Sequence, residues 1–191
     1  MSDINLSGAN LSGAIMNAVS ASDSNISGAN LSGAQLRDAD FSDSNLSGAN
    51  LSHAEANAAQ FVDANLSGAN CDHLVAHDAS FVDANASGCN FHNAELNAVQ
   101  FNEANISGAN FNNASLNDAS FEGANAKGAN FEAANLHAAN FEDANLRGAN
   151  LRGAIVKDAN FEDAEFSRET VLPDGSTWSP GNGIERFIRE G

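Results

Sequence analysis

Few side chains in this chain are placed to do chemistry. His53, Asp72, His73 and His92 fall in one stretch, and imidazoles with a carboxylate could hold a transition metal if the fold brings them together. Cys71 and Cys89 are the two cysteines, too few for a disulfide scaffold. The 25 Asp and Glu residues offer paired carboxylates, but acid–base work needs a cleft that shifts their pKa values. No nucleophile has a local His partner, and no Walker loop or dinucleotide fingerprint occurs. What these residues can do depends on the elements that carry them.

Those elements are set by a period of five. From Leu6 to Phe166 every fifth residue is Leu, Phe, Ile, Met, Val, Ala or Cys, without a polar exception. Two positions earlier stands a small residue, nearly always Ala, with Ser24, Ser44, Leu74, Cys89 and Val99 among the exceptions. On an α-helix each step of five turns the apolar residue by about 140°, which smears the stripe around the axis. On one long strand the odd spacing sends alternate apolar residues to opposite faces. A chain that turns a corner every five residues removes the conflict, because each short side aims its central residue inward.

A second period, of twenty, shows that four sides close a coil. Phe41, Phe61, Phe81, Phe101, Phe121, Phe141 and Phe161 share one register, and Gly8 through Gly148 fill another without a break. Asn5 through Asn145 and Asn10 through Asn150 are two unbroken Asn registers. Stacked coils place each residue on its own kind, so the Phe register becomes an interior ladder, and Gly stands where a corner needs a permissive backbone. About eight coils result, from Ile4 to Asp163, making a rod roughly 38 Å long at ~4.8 Å per coil. The fold class is all-β, a four-sided parallel β-helix.

Runs such as Ala64-Asn65-Leu66-Ser67-Gly68 and Ala144-Asn145-Leu146-Arg147-Gly148 resemble the pentapeptide-repeat family, with over thirty consecutive units in register. The resemblance implies a right-handed quadrilateral β-helix. It also implies a precedent for function, because some members resist quinolones or inhibit DNA gyrase by resembling the DNA it grips. Quinolone-resistance members often carry loops that interrupt the coils. This chain has none and looks more like the uninterrupted gyrase inhibitors.

Two regions are expected: a β-helix over residues 1–166 and a capping or dimerisation tail over 167–191. The tail brings both prolines and the single Trp. Pro173-Asp174-Gly175 reads as a turn, and Gly183 to Glu190 as a short helix with Ile184, Phe187 and Ile188 on one face. An open solenoid end exposes unpaired backbone and core, so Trp178, Phe187 and Ile188 are expected to cover the last coil. Only one end has such a tail, which suggests a homodimer through a rod end. In gyrase-targeting family members, C-terminal segments mediate dimerisation.

With the coils in place, the chemical residues read differently. The His group faces outward on adjacent coils and is read as a solvated surface, with no metal and no cofactor. Both thiols point inward from different points of the pentapeptide, as buried filler without a disulfide. A straight-sided rod with a filled core offers no catalytic cleft, so an enzyme is not expected. Val62 and Val82 stack on the outside as a modest contact point; Ile15, Val75 and Ile155 lie on another face.

Charge carries the functional reading. The formal net charge is −17, which opposes direct contact with nucleic acid or an anionic membrane. No segment has the length and apolarity of a membrane span, and residues 1 to 20 lack a basic cluster and a signal-length apolar run, so a cytoplasmic protein is expected. One outward register reads Asp23, Asp43, Asp63, Asp83, Glu103, Gly123, Asp143, Asp163, and Glu122, Glu142 and Glu162 lie beside it. This acidic stripe is the expected partner-binding surface of a DNA mimic acting on a type II topoisomerase such as DNA gyrase. The alternative is a passive scaffold or regulatory adaptor binding another protein through its flat faces, with the acids serving solubility. Binding of ice through the Asn and Ser ladders ranks below both, since such a face favours Thr ladders and a secretion signal.

Overall fold

The structure, a computed structural model, describes residues 3–188. From Asn5 onward the backbone bridges itself twenty residues later, in parallel: Asn5 to Asn25, Asn10 to Asn30, Ile15 to Gln35, Ser20 to Asp40, and so on to Asn145 with Glu165. Four such bridges per twenty residues make a four-sided coil. Each side contributes a single bridging residue, so no extended strand develops, and the one α-helix among the described residues is α1, Glu185–Ile188. No helix among them is long and apolar enough to cross a membrane.

The corner explains the five-residue unit. The amide of Ala9 donates to the carbonyl of Leu6 at 2.9 Å, and Gly8 between them has φ +65°. Positive φ at the third residue of a four-residue turn is the type II signature. Neighbouring coils are then joined by bonds such as Leu6 N–H to the Asn25 carbonyl at 2.7 Å and Asn25 N–H to the Ile4 carbonyl at 2.9 Å. On the two sides where an Asn register precedes the central residue, that Asn locks the corner. The Oδ1 of Asn5 accepts the Ser7 amide at 3.1 Å, and the pattern recurs at Asn25, Asn65 and Asn105. Asn side chains also bond from coil to coil, as Asn70 to Asn50 and Asn90 to Asn70, both at 3.1 Å. The Asn ladders are therefore turned to internal hydrogen bonding, which leaves them poorly suited to templating ice.

The interior holds two aromatic ladders. Phe41 through Phe161 stack with ring centroids 4.6 to 5.4 Å apart. A second ladder, Phe91, Phe111 and Phe131, stacks at 4.8 and 5.0 Å and meets the first edge-to-face. Both geometries suit the aromatic quadrupole. Ala86 and Ala126 stand between the Phe81–Phe91 and Phe121–Phe131 pairs, whereas the buried Ile106 stands between Phe101 and Phe111. The exceptional Ser24 and Ser44 are buried but satisfied: Ser44 Oγ donates to the Ala21 carbonyl at 2.7 Å and accepts the Ser24 amide at 3.1 Å.

The backbone ladder runs slightly past the end of the repeat. Asn150 bridges Val171 rather than the residue twenty on. One extra residue is absorbed where Thr170, fully buried, donates its hydroxyl to the Leu146 carbonyl at 2.9 Å. Val171 then turns back antiparallel to Thr177 through a turn in which the Gly175 amide donates to the Leu172 carbonyl at 2.8 Å. The tail helix begins at Glu185 rather than Gly183 and runs to Ile188, the last described residue; Arg189 and Glu190 lie outside the described residues.

Candidate functional site

Each side of the coil ends in a left-handed corner, and the four corner registers carry the outward chemistry. The first register holds Asp23, Asp43, Asp63, Asp83, Glu103, Asp143 and Asp163, with φ between 54° and 58°. Asp tolerates this conformation better than most residues because its short side chain bonds locally. A second register is the unbroken Gly series; a third runs Gly13, Gly33, His53, His73, Asn93, Asn113, Ala133, Gly153; a fourth alternates Ala with Asp38, Asp78, Asp118 and Asp158. Positive φ was not assigned to the Asp, His and Ala corners from sequence, although the Gly register pointed to one such corner.

Geometry makes the acidic register nearly continuous. Its members recur at one coil spacing, and among the described residues no ion pair includes any of them. The break at Gly123 is filled in space: a Cβ there would lie 2.5 Å from Oε1 of Glu103, so the Glu103 carboxylate occupies that gap. Cations lie elsewhere. Arg37 pairs with Glu55, Arg147 with Glu165 at 3.6 Å, and Arg186 with Asp174 at 2.7 Å. Residues 1 to 126 carry fourteen acids and one base, Arg37.

On the third corner His53 and His73 stack, with ring centroids 4.8 Å apart and planes at 22°. Asp72 accepts from both flanking imidazoles, His73 Nδ1 at 3.0 Å and His92 Nδ1 at 2.9 Å. Partial burial raises the Asp72 carboxyl, but the hydrogen bonds and charge of His92 and His73 outweigh it and hold it below its ordinary value. The sequence suggested nearness for these residues; the structure brings them into contact.

The thiols of Cys71 and Cys89 are free and fully buried, with sulfurs 3.5 Å apart. Burial, with the neighbouring thiol, pushes Cys89 well above the ordinary thiol range, which leaves it protonated and unreactive.

The rod ends differ. At the C-terminal end Trp178 stacks on Phe166 at 6.0 Å, Phe166 meets Phe161 at 6.0 Å, and the Ile188 carbonyl accepts the Asp158 amide at 3.1 Å. Phe187 and Ile188 also pack on the core, and Ile184, 2% exposed, is buried more deeply than either. At the other end Ile4, Leu6, Met16 and Val19 are only partly buried and line an open apolar hollow of about 620 Å³.

Comparison with known proteins places this geometry. The family of pentapeptide repeats in eight copies matches residues 4–43 and 44–74, and the pentapeptide repeat region matches 97–169. The chain belongs to the pentapeptide-repeat family. Among solved structures it is similar to a trypsin-treated variant of QnrB1, a plasmid-mediated fluoroquinolone resistance protein, at 17% identity over 87% of this chain and 91% of that one, with a TM-score of 0.70. It also resembles HetL, a pentapeptide-repeat protein involved in heterocyst differentiation regulation in the cyanobacterium Nostoc sp. strain PCC 7120. HetL is 29% identical over 93% of this chain and 89% of that one, with a TM-score of 0.41. No curated protein matches. Family membership makes this pentapeptide-repeat solenoid a right-handed β-helix.

Proposed function

We propose that this pentapeptide-repeat protein is a non-enzymatic binding rod whose acidic corner imitates duplex DNA toward a type II topoisomerase, DNA gyrase first among them. The observation that carries the reading is the line of unpaired carboxylates from Asp23 to Asp163, continued across Gly123 by Glu103. Duplex DNA carries one charge per ~1.7 Å, about three per coil height. Fourteen acids against one base in residues 1 to 126 give roughly two net charges per ~4.8 Å coil. The linear density is comparable, though here part of it is spread around the rod. The coil also keeps its step of twenty from Asn5 to Glu165, so the acids fall at an even spacing. QnrB1, which shares the fold, is a fluoroquinolone resistance protein. The same net charge turns the rod away from nucleic acid and anionic membranes, in keeping with a cytoplasmic protein partner.

One observation favours the scaffold or adaptor reading instead. The acidic register is a left-handed corner, whose backbone favours Asp over most side chains with no partner involved. A DNA supercoiling assay separates the two. Micromolar protein at low salt should inhibit or modulate gyrase, and a variant with Asp43, Asp63 and Asp83 changed to Asn, which keeps the corner, should act far more weakly. Gyrase indifferent to the protein leaves the adaptor reading in front.

A further inference from the structure

We propose that His53, His73 and Asp72 form a surface site for one divalent transition-metal ion of the Zn²⁺, Ni²⁺ or Cu²⁺ class. One ligand atom from each lies within 4.8 Å of the other two, and among the described residues this is the one group of three with that closeness. The chain has five His residues, and three of them, His53, His73 and His92, meet here, linked by ring stacking or edge contact.

The fold supplies the preorganisation. His53 and His73 occupy equivalent left-handed corners of adjacent coils, with φ 57° and 55°. Their backbones are held by the ladder: the His53 amide donates to the Asp72 carbonyl, and the His73 amide to the His92 carbonyl, both at 2.9 Å. The ladder holds the two backbone positions one coil apart, which limits the ordering that binding requires. Asp72 is oriented from the far side by His92 Nδ1 at 2.9 Å, the kind of outer partner that fixes a ligating carboxylate. Both His53 and His73 are exposed, so their rings have room to turn out of the stack and aim their in-plane nitrogen lone pairs at one ion, at the ~2.0–2.2 Å metal distances of N and O donors.

The donor set decides the class of ion. Two imidazoles and one carboxylate suit Zn²⁺, Ni²⁺ and Cu²⁺, whereas Mg²⁺ and Ca²⁺ want all-oxygen shells. The acidic stripe could collect those hard ions weakly, but it stands on a different corner. An ion held by His53 on one coil and by Asp72 and His73 on the next would tie two coils together.

The register supplies a conservative test, since Asn93 and Asn113 stand at the same corner with φ 54° and 58°. His53→Asn and His73→Asn therefore keep the corner conformation. Zn²⁺ titrated calorimetrically into the full chain should bind at one ion per chain, persist in a large excess of Mg²⁺, and raise the melting temperature. The double Asn variant should lose affinity by more than about tenfold, while His137→Asn should leave it unchanged. The proposal is overturned if no Zn²⁺ binds, if Mg²⁺ displaces it, or if the double variant, still folded by circular dichroism, binds as the parent does.

Discussion

Phe101 is stacked on Phe81 at 4.7 Å and on Phe121 at 5.4 Å, and it meets Phe91 and Phe111 edge-on. Truncation would leave a cavity that the β-ladder on every side prevents from collapsing. Phe101→Ala should therefore cost about 3–5 kcal/mol, the range for a buried aromatic, measured by chemical denaturation. A loss under about 1 kcal/mol would mean that the ring does not fill the core. Corners test a different force. A Cβ at Gly68 would meet nothing within 4 Å, so only its φ of +63° opposes a side chain. Gly68→Ala should cost about 1 kcal/mol through the left-handed backbone alone, and an unchanged midpoint would remove that explanation. Ala58, Ala98 and Ala138, already at φ 56°, show that the ladder tolerates this strain.

The repeat is the element whose form was most legible in the sequence. Period five placed the central and small residues inside, and period twenty stacked Phe41 to Phe161, because a coil of fixed length forces like onto like. The second ladder, Phe91, Phe111 and Phe131, carries the same period and was missed because it fills only three positions of its register, with Leu31, Leu51 and Cys71 before it and Leu151 after it. The His cluster was seen as a neighbourhood but not as a contact, since side-chain closeness depends on corner geometry that period alone does not fix. The tail was less legible. It has no repeat, and burial of Thr170, Leu172 and Ile184 follows from tertiary packing. It packs on the last coil, and at the other end of the rod the hollow at Ile4, Leu6, Met16 and Val19 is open among the described residues. We propose that this N-terminal end is the homodimer interface, rather than the tail. Light scattering should show a dimer at high micromolar concentration that persists after deletion of residues 169–191. A monomer, or a dimer lost with the tail, would contradict it.

At the scale of the whole molecule, stability is a sum over neighbouring coils, and the apolar side chains that supply it are buried inside them. That leaves surface charge as its main chemical statement. A net charge of −17 with the cations gathered toward the C-terminal part creates a polarised rod, and its field is screened over ~10 Å at 0.1 M salt. Binding that depends on the acidic corner must therefore weaken with ionic strength, and binding through flat faces need not. The most direct measurement is equilibrium affinity for DNA gyrase across a salt series, for the parent and for the variant with Asp43, Asp63 and Asp83 changed to Asn. DNA mimicry predicts affinity that falls steeply with salt and drops on the order of tenfold or more in the variant. Equal affinity of the two proteins, or no binding at low salt, would contradict it.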